Sequence, residues 1–159
     1  MARRQRRAQA RPRVLRDQPD LPQPPGQFDW RFDPERGPGN SGVLLRLVGE
    51  DKVWPKSIEA QLHHRNAGDI WNIDKVDMSV DPARTQGRRT QRMAPSSELP
   101  LGEWNHYRIT LDRGELTLEV NGVVQNTASW CEEVPGKIGL QSEGAWISFR
   151  NIRVVELVR

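Results

Sequence analysis

The chain of 159 residues has a single cysteine, Cys131. One thiol allows no intrachain disulfide and excludes a multi-cysteine metal site, so the fold has to be held by packing. No run of 18 apolar residues occurs, so nothing in the sequence reads as a membrane-spanning helix. The arginines near the N-terminus are not followed by an apolar segment, and no secretory signal is visible. Long segments with a 3.6-residue period are missing too, which argues against a helical design. A net positive balance is confined to the first residues. Residues 1–26 carry seven Arg against Asp17 and Asp20, a balance of +5 within a total of +3, so residues 27–159 carry −2. The folded part therefore offers no basis for a nucleic-acid-binding surface.

Residues 1–26 are rich in Arg, Pro and Gln and have little to bury, so they read as a disordered or loosely draped tail. A basic arm for nucleic acid or a membrane surface fits that composition, and so does a cloning, start-site or reading-frame artefact. Residues 27–159 read as one domain, large enough to bury a core. Short runs of strand formers follow one another there, separated by Gly, Pro, Asn and Asp. Phe28, Trp30 and Phe32 alternate with charged residues, and 42–48 is nearly all apolar, as in a strand buried on both faces. Further strands are expected around 68–73, 75–80, 87–93, 103–111, 116–120, 123–126, 136–141, 145–150 and 151–158. Asn121-Gly122 signals a tight hairpin. Strands spaced by 8–12 residues with turns between them predict an all-β antiparallel sandwich or jelly roll.

The most informative stretch is Ser57 to His63. Ile58, Ala60 and Leu62 alternate with Glu59, Gln61 and His63, so one face is apolar. The other presents an acid, an amide and an imidazole, roughly 6.5–7 Å apart along the strand, within reach of one bound molecule. A half-exposed strand with scattered polar residues accounts for the same alternation.

Several motifs, in order along the chain, resemble one family. They are Asn40-Ser41-Gly42-Val43-Leu44-Leu45-Arg46, Trp54 through Leu62, Asn66-Ala67-Gly68-Asp69-Ile70-Trp71, Gly102-Glu103-Trp104-Asn105, Val120-Asn121-Gly122, Gly136 through Gln141 and Phe149-Arg150-Asn151-Ile152. The chain is similar over about 27–157 to the 3-keto-disaccharide hydrolase domain, a concanavalin A-like jelly roll common in bacterial carbohydrate-degrading proteins. The resemblance implies a carbohydrate substrate and a periplasmic or extracellular setting. Members usually carry more residues before the Asn-Ser-Gly motif, so one or more N-terminal strands are expected to be missing.

Glu59 is the leading catalytic candidate, since glycosidic cleavage needs a carboxyl group to give or take a proton. An acid that only orients Arg or binds hydroxyls is the alternative. Gln61 suits hydrogen bonding to hydroxyls. His63 is a second catalytic candidate, as a base, or a polar surface residue. Asp69 is a second carboxyl candidate or a turn acid. Trp54 and Trp71 flank the strand and are candidates for stacking on a sugar ring, whereas Trp30, Trp104, Trp130 and Trp146 are assigned to the core or its edges. Arg46 and Gln141 lie in the family-like motifs and are candidates for the same polar face. The paired acids of laminarinase-type glucanases are not present on this strand. A 3-keto sugar, however, has an acidified hydrogen beside its carbonyl and needs only one base. No cofactor is assigned, and that chemistry leaves room for a divalent metal. The expected function is cleavage of 3-keto-disaccharides or 3-keto-glucosides, with a non-catalytic carbohydrate-binding module as the alternative.

Overall fold

A computed structural model describes Arg13–Leu15 and residues 26–154. Its strands in chain order are β1 (Arg13–Leu15), β2 (Gly26–Phe32), β3 (Ser41–Val48), β4 (Lys56–Gln61), β5 (Ile70–Ile73), β6 (Thr85–Gln86), β7 (Arg89–Thr90), β8 (Asn105–Asp112), β9 (Glu115–Val120), β10 (Val123–Ala128), β11 (Lys137–Ser142) and β12 (Ile147–Val154). All pairings are antiparallel. One sheet runs β1-β11-β3-β4-β5-β7-β6 and the other β10-β9-β8-β2-β12. The fold is the expected β-sandwich of jelly-roll type. Within the stretch read as a tail, Arg13–Leu15 adds an edge strand beside β11, and residues 1–12 and 16–25 lie outside the described residues.

The core follows from the two-residue period. Phe28, Trp30 and Phe32 of β2 meet Val43 and Leu45 of β3, Ile58 and Ala60 of β4, and Tyr107, Ile109 and Leu111 of β8. Tyr107 lies 5.5 Å, ring to ring, from both Phe28 and Trp30 in tilted packing. Each such buried apolar side chain contributes on the order of 1.5–3 kcal/mol. The doubly buried β3 has a second cause. Leu44 and Leu47 face the opposite way and join Ile73 and Trp71 in a smaller cluster on the outer side of the seven-stranded sheet.

Several expectations need correction. Residues 75–80 form no strand and contribute only the bridge Ser79–Ser129. The expected 87–93 strand is the short β7, paired with the still shorter β6. The separate strands at 145–150 and 151–158 are one continuous β12 as far as Val154, with the rest outside the described residues. Trp130, 82% exposed, and Trp146 are not core residues. Trp104 is half-buried, with the guanidinium groups of Arg31 (4.6 Å) and Arg150 (4.0 Å) over its ring. Among the described residues no helix is long and apolar enough to cross a membrane.

Candidate functional site

β4 sends Ile58 and Ala60 into the core, so Ser57, Glu59 and Gln61 must point to the sheet's outer side. There Glu59 is flanked by Leu44 of β3 and Trp71 of β5, its register partners. It is only 6% exposed, yet its carboxyl group makes no hydrogen bond or ion pair with the described residues. Burial pushes its carboxyl up to about 7, aided by the negative Glu143 and opposed by Arg88.

The carboxyl group fits because β3 carries Gly42 beside it. A Cβ on Gly42 would lie 2.8 Å from Glu59 Cγ and closer still to Oε1. Glu59 opens onto a hollow of about 230 Å³, lined also by Asn40, Trp54, Gln61, Trp71, Arg88 and Glu143. Two polar atoms of its lining residues, Trp71 Nε1 and Asn40 Oδ1, lack partners among the described residues, as does Oε1 of the neighbouring Gln141. Buried polar atoms are rarely left unpaired, so these are positions where water or a ligand would supply the missing bonds. The amide nitrogens of Asn40 and Gln141 both donate to Glu143, the latter at 2.8 Å, which ties the end of β11 to the start of β3. Arg88 stands 5.8 Å above the Trp71 ring.

Gln61 lines the hollow beside Glu59 as expected. Its side-chain oxygen accepts from Leu62 N (2.9 Å) and His63 N (3.0 Å), leaving its NH2 group without a partner among the described residues. Those bonds end the strand. His63 therefore lies in the following turn, exposed, with Nδ1 3.0 Å from His64 O and 3.0 Å from Asn66 Nδ2. It is not part of the hollow.

Arg46 and Asp69 also lie elsewhere. At Arg46 the backbone turns left-handed (φ 49) in a bulge of β3, and the guanidinium donates to Cys131 O (2.8 Å), Glu132 O (2.6 Å) and Arg113 O. Asp69 is fully buried, paired with Arg89 (2.6 Å) and accepting from Arg92 N (2.9 Å). Both residues serve the fold. Trp54 and Trp71 line the hollow, and Gln141 borders it through Glu143.

Sequence reading singled out neither Arg88, Glu143 nor Asn40 for the site. They come from the turn before β7, the end of β11 and the entry to β3, which only the sheet order brings together. The signal available was Asn40 itself, placed immediately before the Ser-Gly that makes room for Glu59. Among the described residues no group of three or more His, Cys, Asp or Glu is arranged to hold a metal ion.

The family described as 3-keto-alpha-glucoside-1,2-lyase-like domain matches residues 26–155. No curated protein matches the chain by sequence. Two structures of presumed glycosyl hydrolases from Parabacteroides distasonis share the fold, each at 20% identity. One has a TM-score of 0.61, covering 87% of this chain and 73% of its own. The other has a TM-score of 0.59, covering 84% and 77%. A carbohydrate-binding module of Bacillus subtilis, at 11% identity, aligns with a TM-score of 0.57 over 82% of this chain and 73% of its own. At such identities these likenesses speak for the fold alone.

Proposed function

This chain belongs to the 3-keto-alpha-glucoside-1,2-lyase-like domain family, and on that premise we propose that it cleaves the glycosidic bond of 3-keto-disaccharides or 3-keto-glucosides in the hollow around Glu59. The observation that carries the proposal is an almost fully buried carboxyl group without a partner among the described residues, poised near neutrality and open to a cavity.

A ketone at C3 acidifies the hydrogen on C2. Glu59, as carboxylate, takes that proton. The electron pair left on C2 forms the C1=C2 double bond while the C1–O bond breaks, and the bonding pair leaves with the departing oxygen. The proton on Glu59 then passes to that oxygen, which restores the carboxylate and balances the step. Addition of water across C1=C2 completes a net hydrolysis. Charge building on the keto oxygen needs donors, and Trp71 Nε1–H and the Gln61 NH2 are unpaired at the hollow, with the Arg88 guanidinium nearby.

A carbohydrate-binding module without turnover is the second reading. It is favoured by Trp54, 53% exposed at the rim of the hollow, and by the unpaired Asn40 Oδ1 and Gln141 Oε1, which suit hydroxyls equally well. Incubation with 3-keto-trehalose or a 3-keto-glucoside separates the two. Turnover that falls by roughly 10²–10⁴ in Glu59→Gln supports the enzyme. Sugar binding with no turnover by the wild type rejects it in favour of the binding module.

A further inference from the structure

The hollow opens on the outer side of the seven-stranded sheet. The outer side of the other sheet carries a different chemistry. There β2 turns Phe28, Trp30 and Phe32 into the core, β8 turns Tyr107 and Ile109, and the chain entering β12 turns Ala145, Ile147 and Phe149. The residues between them therefore face out, among them Asp29, Arg31, His106, Arg108, Trp146 and Arg150.

This face gathers more positive charge than it neutralises. Asp29 is fully engaged: its Oδ1 meets His106 Nδ1 at 2.9 Å, and its Oδ2 accepts from Arg150 Nε (3.0 Å) and Asn151 Nδ2 (2.7 Å). Arg31, the neighbouring Arg36 and Arg108 make no ion pair with the described residues. Glu119 stands opposite Arg108 in the ladder without closing on it. The guanidinium groups collect on indole rings instead. Arg31 and Arg150 lie over Trp104, and Arg36 lies 4.7 Å from the centre of the Trp146 ring. Two like charges at one ring repel each other, and an anion beside them relieves that repulsion.

Trp146 is 61% exposed, so its ring keeps open surface next to these charges. Arg31 stands opposite Ser148, two residues from Trp146. Two residues on a strand span roughly 6.5–7 Å, so one ring bearing an acid group can cover the indole and reach the guanidinium. Asp29 shows which anion the face accepts, since a carboxylate is already held there. A uronic acid carries a stacking ring and a carboxylate in one unit. An acidic peptide lacks that ring, and a phosphate polymer is opposed by the net negative charge of residues 27–159.

We propose that the outer face of the five-stranded sheet is a second carbohydrate site that binds a uronic-acid polysaccharide. Trp146 lies under a sugar ring, and Arg31, backed by Arg150, takes its carboxylate. The site is on the opposite side of the sandwich from Glu59 and does not depend on the chemistry there.

The test titrates the whole chain by calorimetry at low salt, as wild type, Arg31→Ala, Trp146→Ala and Lys52→Ala. All three side chains are exposed, and circular dichroism verifies folding. Lys52→Ala removes the same charge from the loop after β3. Polygalacturonate or alginate should bind, with Kd raised roughly tenfold in Arg31→Ala and in Trp146→Ala but about twofold at most in Lys52→Ala. Methyl-esterified polygalacturonate, which keeps the rings and loses the charges, should bind about tenfold more weakly or not at all. Equal binding of the esterified polymer, or no binding of either uronate, overturns the proposal. So does uronate binding that Arg31→Ala and Trp146→Ala leave unchanged, as the arginines of residues 1–26 would give. Polyglutamate bound as tightly as the uronates would replace the glycan with an acidic protein, and oligo-dT bound more tightly would replace it with nucleic acid.

Discussion

Glu59 leans across Gly42 on the neighbouring strand, in space that any side chain at 42 would occupy. The acid's position is therefore set by an absent Cβ on the adjacent strand as much as by its own rotamer.

Gly42→Ala should push the carboxyl group aside without unfolding the sandwich. A shift of about 1 Å at a reacting group costs on the order of a hundredfold in rate. The expected result is a fall of that order in kcat on a 3-keto-glucoside, with KM changed far less, measured by initial rates at neutral pH.

If Glu59 is the base, kcat/KM should rise with pH through about 7 and level off above it. The neighbours move that limb in opposite directions. Arg88 favours the charged form, so Arg88→Ala shifts the limb to higher pH. Glu143 disfavours it, so Glu143→Gln shifts the limb lower. A limb that ignores both substitutions would remove Glu59 from the role.

The same acid weakens the fold. Its carboxyl titrates near 4.5 in the unfolded chain and about 7 in the folded one, so between those values the folded state holds the extra proton. Stability thus declines as pH rises from about 4.5 to 7, by roughly 3 kcal/mol in full above 7. Glu59→Gln should be stabilising at pH 8 and nearly neutral at pH 4.5, as read from urea midpoints at the two values.

Asp69 is expected to behave in the opposite way. Asp69→Asn weakens the pairing of a buried carboxylate with the partly exposed Arg89 and should cost about 1–3 kcal/mol. Since Asp69 does not line the hollow, the variant should keep its rate per folded molecule at low temperature. A drop in rate out of proportion to the folded fraction would return Asp69 to the site.

The outline of the fold was legible because Phe28-Trp30-Phe32 and Ile58-Ala60-Leu62 alternate cleanly, and alternation decides which face is buried. The same rule put Glu59 and Gln61 side by side. It failed at His63, because Gln61 folds its own oxygen back onto the next two backbone N–H groups and ends the period there. It failed at Arg46 because a left-handed residue inside a strand redirects its side chain, and a bulge leaves no mark in the hydrophobic pattern. Arg88 and Glu143 were invisible for another reason. Their nearness to residue 59 comes from strand order across the sheet, which local spacing does not encode.

The guanidinium of Arg46 grips three peptide oxygens, those of Arg113, Cys131 and Glu132. Such oxygens are supplied by whatever amino acid occupies the position. The grip itself is thus indifferent to the side chains at those positions, although Glu132 also pairs through its own carboxylate with Lys56 (2.8 Å) and Arg113 sits in left-handed backbone (φ 52). Variation among relatives at those loops would then say little about whether the chemistry has been kept.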